Sequence, residues 1–143
     1  MRFSTANDVL RVERDANGEI LVRTPAGGRT GKKNTDVIID LGIWNRQYDR
    51  GIVFESNTGF SLPDGSMLSP DAAWIERRRW DALSDRGQER FVPLCPDFVI
   101  ELRSPSDSLS ELKEKMEQWI ANGAQLAWLI DPIEQEVFIY RPD

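Results

Sequence analysis

Two acidic residues stand at the ends of strand-like segments, where a metal ion could be held. Asp71 precedes the apolar run Ala72–Ile75, and Glu101 follows the apolar run Phe98–Ile100. A buried carboxylate without a partner is costly, so each acid is expected to find a metal ion or a cationic side chain. Mg²⁺ typically takes one or two carboxylates and fills its other positions with water and phosphate oxygens. Together the two acids could therefore bind a divalent ion beside a phosphodiester.

Both acids also have simpler interpretations, which the residues alone leave open. Arg103 lies two residues after Glu101, on the same face of a strand, and could form a salt bridge with it. Asp71 could be a turn residue after Ser69 and Pro70. A glycosidase would use the two carboxylates as an acid pair, but nothing else in the chain indicates a sugar site.

A cation is expected beside the acids, to orient a water molecule or to stabilise developing charge. Arg103 is nearest in sequence, but a guanidinium group does not deprotonate and cannot be a general base. Lys113 and Lys115 lie on the two flanks of the apolar stripe of the next helix, and either could reach back. Lys115 also follows Glu111 by four residues, so a solvent-exposed ion pair is the alternative.

The composition excludes several other chemistries. The chain has 143 residues, no histidine and a single cysteine, Cys95, so disulfides within the chain and His- or Cys-based catalytic and zinc sites are excluded. Carboxylate ligands favour hard ions such as Mg²⁺ or Mn²⁺. The net charge of −6 argues against a protein that simply coats DNA, because phosphate contacts dominate nucleic-acid affinity.

The expected strands alternate with two helices along the chain, which predicts a mixed sheet flanked by helices in one domain over residues 1–143. Phe98–Leu102 is mostly apolar and is expected to be a central strand. A helix over Leu109–Asn122 follows it. The remaining predicted strands are 18–23, 52–55, 59–62, 67–75, 126–130 and 136–140. The first helix carries the stripe Val37, Leu41, Trp44 and Tyr48, and Gly51 is the glycine expected to cap its C-terminal end.

No run approaches the ~20 apolar residues that a membrane span needs. The segment Met1–Asp8 also lacks the apolar core of a signal peptide, so the sequence predicts a cytoplasmic protein. The only basic concentration lies in a charged segment that could contact a phosphate backbone or be a solvated loop; it consists of Arg77, Arg78, Arg79, Arg86 and Arg90.

Several segments together resemble the Uma-two family, a prokaryotic group of restriction-endonuclease-like proteins within the PD-(D/E)XK nuclease superfamily. The similarity extends from about Gly18 to Tyr140. The segments that carry it are Ser69-Pro70-Asp71, Pro96-Asp97 through Ser106-Asp107, Lys115 through Trp119, Gly123, and Trp128 through Pro132.

The resemblance implies a restriction-endonuclease-like α/β fold and Mg²⁺- or Mn²⁺-dependent hydrolysis of DNA. Asp71 matches the first acid of the motif and Glu101 the second. The lysine that normally follows two residues later is replaced by Arg103, and the family pattern points to Lys115 on the next helix instead. Arg103 would then steady the phosphate. Glu19 matches a Gly-Glu pair near the family's N-terminus.

Two hypotheses follow from these observations. In the first, the protein is a Mg²⁺-dependent endonuclease, and a homodimer would place two active sites on a duplex. In the second, the protein is a catalytically inactive module that keeps the nuclease fold for dimerisation or partner binding.

Overall fold

The computed structural model describes residues 11–143, so the segment Met1–Asp8 lies outside the described residues. Four helices occur in the described part: α1 (Gly28–Tyr48), α2 (Arg77–Asp81), α3 (Asp85–Glu89) and α4 (Leu109–Ala121). No helix within residues 11–143 is both long enough and apolar enough to cross a bilayer. The strands of the same region are β1 (Arg11–Arg14), β2 (Ile20–Arg23), β3 (Gly51–Phe54), β4 (Phe60–Ser61), β5 (Met67–Leu68), β6 (Ala72–Glu76), β7 (Phe98–Leu102), β8 (Leu126–Asp131) and β9 (Glu136–Tyr140).

The larger sheet has the strand order β3-β6-β7-β8-β9, with β7 in its centre. β7 and β8 are parallel and are connected through α4, whereas the other neighbouring pairs are antiparallel. A parallel pair needs such a crossover because the chain must return to the same end of the sheet. The predicted mixed sheet flanked by helices is confirmed, and β7 and β9 have the predicted bounds.

Alternate residues of the larger sheet face different helices. Ala73, Val99 and Leu129 belong to the core cluster that also contains the buried side chains of α4. Ala72 and Ile100 pack with Leu41 of α1 on the opposite face. Because side chains alternate along a strand, Glu101 shares the face of Val99 and points towards α4.

A smaller sheet with the order β2-β1-β5-β4 packs beside the larger one. The single strand predicted over Met67–Ile75 is wrong, because the chain forms β5 in the smaller sheet and β6 in the larger one. Ser69, Pro70 and Asp71 connect the two strands. Pro70 has no backbone N–H to donate to a ladder, so the chain changes sheets there.

The end of α1 differs from the sequence-based expectation. Asp49 forms the C-cap with a left-handed backbone at φ 48°, and its N–H donates to the carbonyl of Asn45. Gly51, expected to be the cap residue, is the first residue of β3. A Cβ on Gly51 would lie 2.3 Å from the Trp74 indole and 2.4 Å from the Ile75 carbonyl oxygen.

Gly51→Ala is therefore expected to lower the free energy of unfolding by about 1–3 kcal/mol, the usual cost of overpacking. Gly42→Ala is the matched control, since a Cβ there meets nothing within 4 Å in the middle of α1. That substitution should raise the stability by about 0.5–1 kcal/mol through helix propensity. Urea unfolding of the two variants measures both effects, and equal stabilities would contradict the close approach at Gly51.

Candidate active site

Strands β6 and β7 bring Asp71 and Glu101 to the same end and the same face of the larger sheet. Their register pairs Ala72 with Ile100, and its extension by one residue places Asp71 opposite Glu101. Opposite side chains of an antiparallel pair are neighbours on one face. The backbone N–H of Leu102 donates to Asp71 Oδ2 at 2.6 Å, which fixes this carboxylate against β7.

The Glu101 carboxylate is buried, with 3% of the residue exposed. Lys115 Nζ donates to its Oε2 at 3.3 Å and lies 3.2 Å from Oε1. The second contact has the distance of an ion pair, but Oε1 accepts no hydrogen bond in the described structure. Burial raises the pKa of Glu101 to about 7, with Lys115 opposing the rise and the charge of Asp71 adding to it. Glu101 is thus a buried acid with one oxygen that accepts no hydrogen bond.

Lys115 lies on the buried side of α4, in the stripe formed by Leu112, Met116 and Trp119. Its ammonium group reaches the carboxylates of Glu101 and Glu13 and also donates to the Ser69 carbonyl at 3.3 Å. It therefore pairs with acids from two sheets rather than forming the solvent-exposed pair with Glu111. The structure brings Lys115 and Glu101 into direct contact.

Glu13 is a buried member of this acid cluster that the sequence analysis missed. Lys115 Nζ lies 2.9 Å from its Oε2, and Arg23 Nε lies 2.9 Å from its Oε1. Burial opposes ionisation of Glu13, but the charges of Lys115, Arg11 and Arg23 outweigh it and lower the pKa. Glu13 is therefore held ionised behind Glu101.

Strand β1, which contains Glu13, is difficult to predict from the sequence. Val12 is the only apolar residue in Arg11–Arg14, so the segment has little of the pattern expected for a strand. The feature of the sequence that indicates β1 is the turn before β2. In this turn Asp15 Oδ1 accepts hydrogen bonds from the N–H groups of Asn17 and Glu19. A turn that precedes one strand implies a paired strand on its other side.

Two further arginines border the acids. Arg11 Nη1 lies 3.5 Å from Asp71 Oδ1, and its Nη2 donates to the Ser69 carbonyl. Arg23 pairs with Glu13 and also lies 3.6 Å, through Nη1, from Asp107 Oδ1. Neither arginine was identified from the sequence, because both belong to the small sheet whose pairing was not predicted.

Arg103 and Lys113 lie apart from the acid cluster. Arg103 Nη1 pairs with Asp131 Oδ2 on β8 at 2.9 Å, rather than with Glu101. Its predicted contact with a phosphate stays a prediction. Lys113 Nζ lies 4.4 Å from the ring centroid of Phe138, on the side of α4 that covers β9.

The arginine-rich segment forms ion pairs with nearby acids. Arg77 pairs with Asp49 at 2.7 Å, and Arg79 pairs with Asp97 at 2.9 Å. Arg78 lies 3.4 Å from Glu76. These three side chains are therefore partly neutralised, and they lie on helix α2 rather than in the solvated loop that the sequence offered as one interpretation.

A cleft of about 950 Å³ opens over the acids. The start of α1 and the loop between β7 and α4 form its other walls. Its charged lining is balanced, with three arginines and three acids: Arg11, Arg23, Arg29, Asp71, Glu101 and Asp107. A phosphodiester entering this cleft would meet no net positive charge from these side chains.

Comparison with solved structures finds a similar fold in a protein from Anabaena variabilis ATCC 29413. That protein is described as a putative nuclease belonging to DUF820, and it superposes with a TM-score of 0.78. The two chains are 23% identical, and the match covers 92% of this chain and 72% of the other. At this identity the likeness shows a shared fold. No curated protein matches the chain.

The family model described as "Putative restriction endonuclease" matches residues 2–143, almost the whole sequence. The resemblance seen in the motif segments is thereby confirmed, and the chain belongs to the Uma2 family.

Proposed function

We propose that the protein is a Mg²⁺- or Mn²⁺-dependent endonuclease that hydrolyses phosphodiester bonds of DNA. The proposal rests on one observation. Glu101 is buried and lines the same cleft as Asp71, and one oxygen of its carboxylate accepts no hydrogen bond. A buried polar atom without a partner is uncommon in a folded protein and calls for an explanation, such as an ion. Membership of a family described as restriction endonucleases supports the nuclease class.

The acids of the cleft fit a Mg²⁺ ion that takes only a few of its ligands from the protein. Within residues 11–143, no group of three or more Asp, Glu, His or Cys side chains has the arrangement of a metal site. Two carboxylates are nevertheless enough for Mg²⁺, which commonly retains several waters and takes further oxygens from a phosphate. Asp71 and Glu101 are the proposed ligands, and both offer oxygen donors that suit a hard ion.

A bound divalent ion would supply a water molecule of lowered pKa and would neutralise charge on the phosphate. Backbone and side-chain groups of the protein supply the remaining functions. The Leu102 N–H orients Asp71, and Lys115 favours the ionised form of Glu101 against the effect of burial. Arg11 and Arg23 line the cleft and are suited to contact phosphate oxygens.

The charge balance of the cleft supports a role for the ion in DNA binding. The lining has equal numbers of arginines and acids, whereas the whole chain has a net charge of −6. A divalent ion would make the cleft positive, and binding of DNA depends strongly on such local positive charge. Cleavage of both strands of a duplex requires two active sites, so a homodimer is part of this proposal.

The proposal is tested with supercoiled plasmid and purified protein in 10 mM Mg²⁺ or Mn²⁺, concentrations of roughly the order commonly needed for weakly ligated ions. Asp71→Asn and Glu101→Gln are expected to reduce the cleavage rate at least about 100-fold, the scale of losing one preorganised charge in an active site. Calorimetric titration with Mn²⁺ should show that both variants also lose ion binding.

Glu117→Gln is the matched control, because this exposed acid lies on α4 outside the cleft. It should cleave at the wild-type rate. Wild-type protein that neither binds Mn²⁺ nor cuts DNA would reject the proposal. So would undiminished cleavage by folded Asp71→Asn and Glu101→Gln proteins.

The alternative function is a non-catalytic module with a nuclease fold. The observation in its favour is that Lys115 already forms ion pairs with both Glu13 and Glu101, as in a purely structural cluster. Such a module would bind no Mn²⁺ at these acids, so the same titration separates the two functions. Sedimentation velocity of the wild-type protein tests the homodimer in either case.

A further inference from the structure

Glu13 is a buried acid to which the proposed reaction assigns no function. It lies on β1, between β2 and β5, and only 1% of the residue is exposed. A buried carboxylate without strong partners would be costly, so its retention in the interior needs a reason. Its partners indicate what that reason is.

Each oxygen of Glu13 has close polar partners. Oε2 lies 2.9 Å from Lys115 Nζ and accepts a hydrogen bond from the Ser69 N–H at 3.3 Å. Oε1 lies 2.9 Å from Arg23 Nε and 3.3 Å from Lys115 Nζ. The contact of Lys115 with Glu13 is shorter than its contacts with Glu101, which measure 3.2 and 3.3 Å. Glu13 is thus the nearest anchor of the lysine.

We infer that Glu13 is a positioning residue that acts through Lys115, and that it is not a metal ligand. Glu13 holds the ammonium group at the point where it reaches both Glu101 and the Ser69 carbonyl. Both oxygens of Glu13 lie close to cationic side chains, and Glu13 does not line the cleft, whereas Glu101 lines it and has one oxygen that accepts no hydrogen bond. The inference rests on the proposed function for its consequence, but the contact itself can be tested separately.

The lysine needs such an anchor because its side chain is long and flexible. A lysine side chain loses much of its rotamer freedom when it is fixed in one conformation. Glu101 offers the lysine only longer contacts of 3.2 and 3.3 Å, whereas Glu13 offers one of 2.9 Å. Glu13 is itself fixed by its contact with Arg23, so it can hold the lysine in place.

The three residues also connect separate parts of the fold. Glu13 comes from the small sheet, Glu101 from the large sheet, and Lys115 from α4, 102 residues after Glu13 in the chain. Positioning of the lysine therefore depends on how the two sheets pack. A substitution at Glu13 should disturb the lysine while leaving the Asp71–Leu102 hydrogen bond in place.

The test uses Glu13→Gln, Lys115→Met and the double variant of the full chain. Glu13→Gln should lower kcat by about 10–100-fold, as loss of an outer partner of a metal site commonly does. In the Lys115→Met background the same change should lower kcat less than about twofold, because a residue that acts through the lysine has nothing left to position. The Mn²⁺ affinity of Glu13→Gln should stay within about threefold of wild type.

A second measurement does not depend on activity. In protein with ¹⁵N-labelled lysine, the Lys115 ammonium should give a slowly exchanging NMR signal, since it is buried and hydrogen-bonded. The signal should disappear in Glu13→Gln and persist in Glu19→Gln, the matched control with an exposed acid on the same hairpin. If Glu13→Gln does not fold, Glu13→Asp keeps the charge, withdraws it by one methylene group and should weaken the same signal.

Other outcomes of these measurements would contradict specific claims. A more than tenfold loss of Mn²⁺ affinity in Glu13→Gln would make Glu13 a ligand and would reject the inference. If Glu13→Gln lowered kcat equally in the wild-type and Lys115→Met backgrounds, Glu13 would have a merely structural role. An inactive wild-type protein would reject the proposed nuclease function, whereas a Lys115 signal that survives in Glu13→Gln would reject the positioning role itself.

Discussion

Lys115→Met is expected to lower the free energy of unfolding by about 3–5 kcal/mol at pH 8, the scale on which a buried charge loses its partner. The substitution keeps a side chain of similar length but removes the cation that Glu13 and Glu101 share. Glu13 retains its contact with Arg23, so the cost falls mainly on Glu101. Urea unfolding in the presence of EDTA measures the effect.

Lys113→Met is the control for this prediction. Its ammonium group lies over the ring of Phe138 on the other flank of α4, and such a contact contributes only about 0.5–1 kcal/mol at a partly exposed site. The deficit of Lys115→Met should also shrink at pH 5.5, because Glu101 can then take up a proton and lose its charge. Equal losses for the two lysines, or a deficit that is independent of pH, would contradict the buried ion-pair cluster.

The elements that carry Glu101 and Lys115 could be predicted because their sequences are locally decisive. Phe98–Leu102 is mostly apolar, and it forms the central strand with the predicted bounds. The helix after it has a clear apolar stripe and a serine cap, Ser108, whose hydroxyl accepts from the Glu111 N–H. These local signals agree with the global fold, so sequence reasoning was sufficient there.

Local patterns alone left the partner of the acids open among Arg103, Lys113 and Lys115, because long-range packing determines it. Lys115 follows Leu112 by three residues and precedes Met116, a spacing that is consistent with the inner side of α4. The sequence-based interpretation assigns it to the flank of the apolar stripe, whereas the structure buries it. Glu13 lies in a segment with little apolar character, and its burial depends on pairing of β1 with both β2 and β5. The turn before β2 indicates the pairing of β1 with β2, but no local pattern in the sequence encodes the pairing of β1 with β5.

The break at Pro70 shows the same limit. The predicted strand over Met67–Ile75 contains mostly apolar residues, which fit one continuous strand or two short ones equally well. Pro70 indicates a break in this run, but only the packing of the two sheets determines that β5 and β6 belong to different sheets. Asp71 lies at this crossing point, so its orientation towards Glu101 follows from tertiary structure rather than from its own neighbours.

The same acid that the proposed reaction requires should limit the stability of the protein. The pKa of Glu101 is raised from its ordinary value of 4.5 to about 7, chiefly by burial. As the pH rises through 4.5, the unfolded chain loses this proton while the folded protein keeps it until about pH 7. The folded state therefore binds more protons in this interval, and stability falls with rising pH. The contribution of Glu101 is fully present in acid and absent above pH 7.

Glu101→Gln should consequently be more stable than wild type at pH 8, by about 3 kcal/mol if the whole pKa difference is expressed. Near pH 4 the two proteins should be almost equally stable. The lowered pKa of Glu13 produces the opposite slope, but it is present in both proteins, so the difference between their curves isolates Glu101. Lys115 keeps Glu13 as its partner in the variant and is not left unpaired.

Unfolding in urea at several pH values, with EDTA present, gives the difference curve, and Glu117→Gln provides a control that should show no such slope. A flat difference between Glu101→Gln and wild type would mean that Glu101 titrates normally and that burial does not oppose its charge. The expected combination is a variant that is more stable above pH 7 yet unable to cut DNA. An active site can lower stability in this way, because the charge that function needs is one that folding alone would remove.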